Sequence, residues 1–362
     1  VLLARCRRFA PEFFVKREDA MSAQKRTTLR DLAQVTGLSV VSVHKALHGK
    51  SGVSENTRCR VQAAAQRLHY SANDAASALK RGVRTLAVVL PAETEPYSYF
   101  YRDMWRAVRE CAAELADFNV ALLECPCVST WHGQAAVLES LRRAGTAEGV
   151  VVANSMDRTA LNSAIDLLAQ SGVPVVTVNS DACGAQRLCC ISPPNGRAGR
   201  LAAEFMAGGM PDAPCTVAVC GARETSDIHR KNMEGFAAEL ARLRPQARLT
   251  DVRSAADDAL AAALRAPDLY GAYSPSARGT MQLCAVAEAV RLRGKCLVGS
   301  DAFAELVPYF ESGVLRATVW KDPYGQMHRA IHALYEHLSG RAVADKEVRI
   351  GLVLRNNIID YL

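Results

Sequence analysis

From Thr28 onward, apolar residues recur at helical spacing in three short blocks. Leu29, Leu32, Ala33 and Val35 predict a short first helix, opened by a capping box between Thr28 and Asp31 and closed by Gly37. Ser39 can cap a second helix from Val40 to Leu47, ended by Gly49. Ser54 can cap a third from Glu55 to His69, with Val61, Ala65 and Leu68 on one face. So few linking residues predict a compact helical head. Beyond Arg84 the period changes. Thr85–Leu90 is a continuous apolar run of the kind expected for a strand buried on both faces, and similar runs recur at 120–123, 149–153, 173–178, 216–220, 271–273, 296–299 and 315–319. Helical stretches such as 102–116, 197–207, 231–243, 280–292 and 324–338 lie between them. This alternation predicts βαβ units and doubly wound parallel sheets. About 280 residues exceed what one such sheet organises, so the expected fold class is α/β: a small all-α head followed by two lobes.

Charge sharpens the division. The 362 residues are 49% hydrophobic and 22% charged with a net charge of +7. From Lys25 to Arg84 there are eleven Lys/Arg against three Asp/Glu, a local net of +8, whereas residues 85–362 sum to −3. A basic block ahead of a slightly acidic body suits a polyanion-binding head, nucleic acid first, although a solvated basic face has the same composition. No apolar run reaches the ~18 residues of a membrane span. Residues 1–24 mix apolar groups with Arg5, Arg7, Arg8, Lys16 and Arg17 and have no h-region, which predicts a flexible arm or an extension upstream of a start at Met21. A cytoplasmic location and reduced, mostly buried cysteines are expected.

The stretch Ala33-Gln-Val-Thr-Gly37-Leu-Ser39 carries the most chemistry. A helix-turn-helix needs a small residue where its helices touch, a glycine in the turn and an N-cap launching the second helix. That helix must present short groups to base edges in the major groove. Val40, Val41, Ser42, His44 and Lys45 are the exposed candidates. An ordinary αα-hairpin fits the same residues; the local charge favours DNA.

Thr28-Leu-Arg-Asp-Leu-Ala33, Gly37-Leu-Ser39, Ser42-Val-His-Lys-Ala-Leu-His-Gly49, Val53-Ser54, Thr57-Arg58 and Leu68-His-Tyr70 resemble the opening of a LacI/GalR-type bacterial transcriptional repressor. Tyr70-Ser-Ala-Asn73 and Ala75-Ala-Ser-Ala-Leu79 are similar to that family's hinge helix. The resemblance continues as a type-I periplasmic-binding-protein core. It implies residues 25–70 as the DNA-binding head, 71–83 as the hinge and 84–362 as a two-lobed effector core, preceded by 1–24. It implies DNA contacts from Thr28, Ser39, Val40, Val41, Ser42, His44, Lys45 and His48, and from Asn73, Ala76 and Leu79 in the hinge. The Ala-rich segment 73–79 is too short to hold a helix in water, and Leu79, followed by Lys80 and Arg81, suits a minor-groove wedge. His44-Lys45 stand where the family has Ser-Arg, and lysine lacks arginine's bidentate fork, so operator sequence is not transferable.

In the core the resemblance implies an effector cleft lined by Phe100, Tyr101, Asn179, Asn232, Ser274, Asp301 and Lys321. Phe100 and Tyr101 match an aromatic pair that stacks on a sugar; lobe packing is the plainer account. Asp301 follows a predicted strand and matches a hydroxyl-binding carboxylate, with a helix N-cap over 302–310 as the alternative. Asn232 stands for a usual Arg, Asn179 for a frequent Asp and Lys321 for a frequent Gln. A neutral sugar or polyol leads as effector, and an anionic sugar derivative near Lys321 and Arg230 competes. His328 and His332 have zinc-helix spacing, but Arg329 stands where a catalytic Glu is needed, so a solvated helix face is expected, with no metal and no cofactor. Paired catalytic carboxylates and a Gly-x-Ser-x-Gly elbow are absent from the sequence, so no enzyme is expected. The expected partners are a palindromic double-stranded operator, a small carbohydrate effector and a second copy of the chain. A periplasmic-type sugar-binding protein of a transporter shares the core but not the head.

Overall fold

The computed structural model describes residues 27–47, 51–68, 82–94, 98–128, 131–153, 158–222, 226–252 and 256–362. The chain divides into two compact units, Val1–Asn73 and Asp74–Leu362. His48, Asn73, Ala76 and Leu79, the arm and nearly all of the hinge lie outside the described residues.

The first unit contains α1 (Leu29–Thr36), α2 (Val40–Leu47) and α3 (Glu55–Arg67). Each starts where a hydroxyl caps it. Asp31 N–H donates to Thr28 Oγ1 while Thr28 N–H donates to Asp31; Ser42 N–H donates to Ser39 Oγ and Thr57 N–H to Ser54 Oγ. Gly37, at φ 66°, closes α1 in the left-handed region and turns the chain into α2. Leu32, Val43, Ala46, Val61 and Ala64 form the core of the unit. Arg60 donates to the Thr36 carbonyl at 2.8 Å, satisfying an end of α1 from α3.

The second unit holds two six-stranded sheets. In chain order, the first lobe is built by β1 (Arg84–Pro91), α4 (Tyr99–Ala116), β2 (Val120–Cys127), α5 (Trp131–Ala144), β3 (Gly149–Ala153), α6 (Arg158–Gln170), β4 (Val175–Val178) and β5 (Cys189–Ser192). The chain then crosses through α7 (Asn195–Gly208) into β6 (Cys215–Cys220), α8 (Asp227–Leu243), β7 (Ala247–Val252), α9 (Asp257–Leu264), β8 (Leu269–Tyr273), α10 (Ala277–Ala289), β9 (Cys296–Ser300), α11 (Val307–Glu311) and β10 (Ala317–Trp320). It recrosses through α12 (Pro323–Leu338) and β11 (Lys346–Glu347), and ends with β12 (Gly351–Val353). The strand orders are β11-β5-β4-β3-β1-β2 and β12-β10-β9-β8-β6-β7. All pairs are parallel except β10–β12, as expected when helices cover both faces. The two-lobed α/β expectation holds.

Packing explains the crossings. α12 lies on the first lobe, where Met327, Ala330, Ile331 and Leu334 join Leu86, Val88, Val108 and Val176 in one core. α7 and α8 approach until their backbones touch: a Cβ on Gly199 would sit 1.9 Å from the Asn232 carbonyl oxygen, and one on Gly235 2.1 Å from that of Gly196. Most of the described cysteines are buried and all are free. Burial pushes the Cys220 and Cys284 thiols up to about 12, so they behave as small apolar side chains. No helix among the described residues is long and apolar enough to cross a membrane.

Candidate functional site

On the head, the pattern of α2 separates two faces. Val43 and Ala46 are buried, whereas Val40 and Val41 are 41% and 64% exposed. His44 and Lys45, half-buried, follow one turn later. The Thr28 and Ser39 hydroxyls are committed to capping, and Ser42 Oγ lies 2.9 Å from Ser39 Oγ. Two β-branched apolar side chains left in solvent at a helix N-terminus, beside an imidazole and an ammonium, contribute nothing to the head's core. They match what a thymine methyl and a phosphate would meet in a major groove.

In the second unit the strand ends converge on a polar cleft between the lobes. Asp301 follows β9 at φ 69°, in the left-handed region, its N–H donating to the Val319 carbonyl at 2.9 Å. It caps no helix: the next helical turn begins at Ala304 after Phe303, so the N-cap alternative does not hold. Lys321 follows β10 and places Nζ 3.4 Å from Asp301 Oδ1, with both side chains 5% exposed. The contact is an ion pair without hydrogen-bond alignment, so Oδ1 has no hydrogen-bond partner within the chain. Lys321 Nζ also donates to the Pro275 carbonyl. Burial raises the Asp301 carboxyl above its ordinary range, with the Lys321 charge and the Ala277 N–H pulling back.

The remaining predicted residues have four different settings. Ser274 is fully buried beside this pair, its hydroxyl reaching the Ser276 carbonyl. Asn232 is also fully buried, but its amide donates to Asn195 Oδ1 at 2.9 Å and to the Ile228 carbonyl, tying α7 to α8, while its Oδ1 has no partner. Asn179, at φ 72°, ends β4 and borders a cavity of about 280 Å³ with Asn195, Arg197, Arg200, Asp227 and Lys231. Phe100 and Tyr101 meet edge to face at 5.7 Å and pack on the first lobe's core.

Several residues outside the sequence prediction complete the cleft. Tyr99 reaches the second lobe, stacking on Phe303 at 4.3 Å. Arg102 bonds Glu305 at 2.6 Å and lies over the Tyr99 ring, so the lobes meet along the first turn of α4. Asp103 on the same turn has a raised pKa: burial first, opposed by Arg106 and Arg102, with the Asp301 charge adding. Tyr273 OH, Ser300 Oγ and Gln326 Oε1 are buried without hydrogen-bond partners on the second lobe's side and α12. The i, i+4 spacing of Tyr99 and Asp103 was the signal available in the sequence. Arg230, by contrast, is taken up by Glu234 and Asp227 at 2.8 and 3.2 Å.

His328 and His332 do not stand on a merely solvated face. Both Nε2 atoms approach Glu114 Oε2 on α4, at 3.2 and 3.1 Å, and Cys111 lies beside them.

Residues 86–342 match the family model described as periplasmic binding protein domain, and residues 28–73 that of bacterial regulatory proteins, lacI family. The HTH-type transcriptional regulator DegA of Bacillus subtilis (strain 168) is 25% identical over 158 residues, 43% of this chain and 44% of that protein. The ribose operon repressor of the same organism is 39% identical over 71 residues, 19% of this chain and 22% of that protein. The matched stretches thus span less than half the length of these relatives. A putative LacI transcriptional regulator from Bacteroides fragilis superposes with a TM-score of 0.69 at 17% identity, over 77% of this chain and 100% of that one; this shows a shared fold.

Proposed function

Because the chain belongs to the periplasmic binding protein domain family over residues 86–342, with a lacI-family head at 28–73, we propose that it is a DNA-binding transcriptional repressor controlled by a small polyhydroxyl effector. The observation that carries the reading is the outward face of α2. Val40 and Val41 are exposed there while the opposite face is packed, which suits recognition of base edges and not of the head's own core.

The cleft supports a neutral effector. Asp301 Oδ1 is buried without a hydrogen-bond partner in the chain, and carboxylates accept hydrogen bonds from hydroxyls. The two cations expected to attract an anionic derivative already have partners, although Arg197, Arg200 and Lys231 also border the cavity beside Asn179: Lys321 has Asp301, and Arg230 has Glu234 and Asp227. A sugar or polyol between the lobes adds donors to Asp301 Oδ1 and draws Tyr99–Phe303 and Arg102–Glu305 into a fixed closure. The reading further assigns residues 25–70 to the head, 71–83 to the hinge and 84–362 to the core. Two copies on an inverted repeat, cytoplasmic and without catalysis, complete it. Closure biases how the two cores meet and hence how the heads and hinges sit on DNA.

Thermal-shift measurements against sugars, polyols and their phosphates test it. A native-state ligand at a hundredfold excess over Kd stabilises by ~2.7 kcal/mol. Neutral compounds should stabilise the protein and shift its operator affinity, and Asp301→Ala should abolish the stabilisation while leaving operator binding intact. Stabilisation by phosphates alone would overturn the effector class. A stabilising compound without effect on DNA affinity would overturn the coupling.

A further inference from the structure

α4 and α12 pack side by side on the first lobe, and each turns two metal-ligand residues toward the other. On α4 these are Cys111 and Glu114, three apart; on α12 they are His328 and His332, four apart, so each pair lies on one helical face. The four donor atoms lie within 4.8 Å of one another. Both imidazole Nε2 atoms converge on a single oxygen, Glu114 Oε2, at 3.2 and 3.1 Å, and their rings stack with centroids 4.4 Å apart.

We propose that Cys111, Glu114, His328 and His332 form a binding site for a divalent transition cation of the zinc type. Tetrahedral ligation at ~2.0–2.3 Å separates the ligand atoms by about 3.3–3.7 Å, so the two His–Glu edges already match and the widest edge closes by about 1 Å. The donor set is two nitrogens, one oxygen and one sulfur, which suits zinc and excludes calcium or magnesium. Charge balances: one carboxylate and one thiolate neutralise the ion, and both imidazoles stay neutral. On binding, the Cys111 thiol gives its proton to solvent and a metal–sulfur bond forms. Each neutral imidazole, whose Nε2–H donates to Glu114 without the ion, moves that proton to Nδ1 by exchange with solvent, which frees the Nε2 lone pair for the ion. Cys111 closes the buried side, while half-exposed His328 and His332 and exposed Glu114 leave an entry path from solvent.

Position gives the site a consequence. α4 begins with Tyr99, Arg102 and Asp103, which meet the second lobe, and α12 begins directly after Lys321 and Asp322. The ion clips together the two helices whose first turns frame the cleft. Metal binding is therefore a second input to the core, independent of which effector fills it.

The test uses the full chain after chelator treatment and dialysis, titrated calorimetrically with Zn²⁺ alone, and Co²⁺ as a spectroscopic substitute. One ion per chain is expected, with a thiolate-to-cobalt charge-transfer band that disappears in Cys111→Ser. His328→Ala and His332→Ala should each weaken Zn²⁺ by more than the ~10–100-fold that loss of an outer-shell partner costs. His337→Ala, on the same helix away from the cluster, should leave affinity unchanged. Both histidine variants alter half-exposed side chains, so the result stands even where Cys111→Ser is poorly folded. Absence of Zn²⁺ binding, affinity unchanged in the His328→Ala/His332→Ala pair, or a cobalt complex without the thiolate band would overturn the proposal.

Discussion

Replacing Asp301 by Asn strands the Lys321 ammonium inside the second unit. The two side chains are each 5% exposed and their charges lie 3.4 Å apart. Removing one partner leaves an uncompensated buried charge, which costs about 3–5 kcal/mol, whereas removing both can be nearly neutral. Asp301→Asn should therefore destabilise the chain by about 3 kcal/mol or more, and the Asp301→Asn/Lys321→Met double variant by much less than the two singles together, a coupling of about 2–3 kcal/mol. The pH dependence adds a second signature. Burial holds the Asp301 carboxyl above its ordinary range even with Lys321 beside it, and Lys321→Met removes the cation that pulls it back. A carboxyl with a raised folded-state pKa contributes stability that is complete below its unfolded value near ~3.9 and is lost as pH rises through the folded one. Lys321→Met should thus lose stability progressively as pH rises from about 4, more steeply than the parent. Urea unfolding followed by tryptophan fluorescence at several pH values reads both effects. Additive single variants, or a Lys321→Met profile parallel to the parent's, would refute the buried-pair argument.

On the head, Lys45→Ala should weaken binding to all duplexes alike and lower the salt slope by about one, whereas exchanging Val40 and Val41 for polar residues should change which sequences are selected; anisotropy titrations over a salt series separate the two. Gly199→Ala pushes a methyl into the Asn232 carbonyl at 1.9 Å, so it should cost about 3 kcal/mol or more in denaturant unfolding, because backbone, not a movable side chain, blocks it. Arg187 bonds Asp181 at 2.6 and 2.9 Å and Asp345 at 2.8 and 2.9 Å, tying the β4–β5 loop to the segment entering β11; Arg187→Met should cost about 1.5–3 kcal/mol at neutral pH. Burial raises the Asp181 carboxyl, but the Arg187 bonds outweigh it and hold it low. That contribution is present above the unfolded pKa and lost as pH falls through the folded one, so the gap between parent and Arg187→Met should narrow below about pH 4.

Local chemistry was readable from the residues. Thr28, Ser39, Ser54 and Gly37 act within a few positions of themselves, and each caps or turns the chain as its type requires. The apolar runs at β1 and β3 likewise announced strands buried on both faces. β7 did not: it is an edge strand carrying Arg248, Thr250 and Asp251, and only pairing with β6 makes it a strand. β5, β11 and β12 are two to four residues long and leave no period to detect. In the cleft, the place of Asp301 after a strand is legible in the sequence and Lys321 comes from the family resemblance, but their pairing across two loops leaves no local signal. Tyr99, Phe100 and Tyr101 are three consecutive aromatics, and one residue of helical phase decides which ring stacks on Phe303. Glu114 and His328 are 214 residues apart, and only the crossing of α12 back to the first lobe brings them together.

The role proposed for α2 is to read DNA within a twofold-symmetric assembly. Sequencing of the duplexes that the purified full chain retains from a random pool tests it most directly. An inverted repeat is expected, with half-sites that change when Val40 and Val41 are replaced. A retained pool without twofold symmetry, or one indifferent to those replacements, would contradict it.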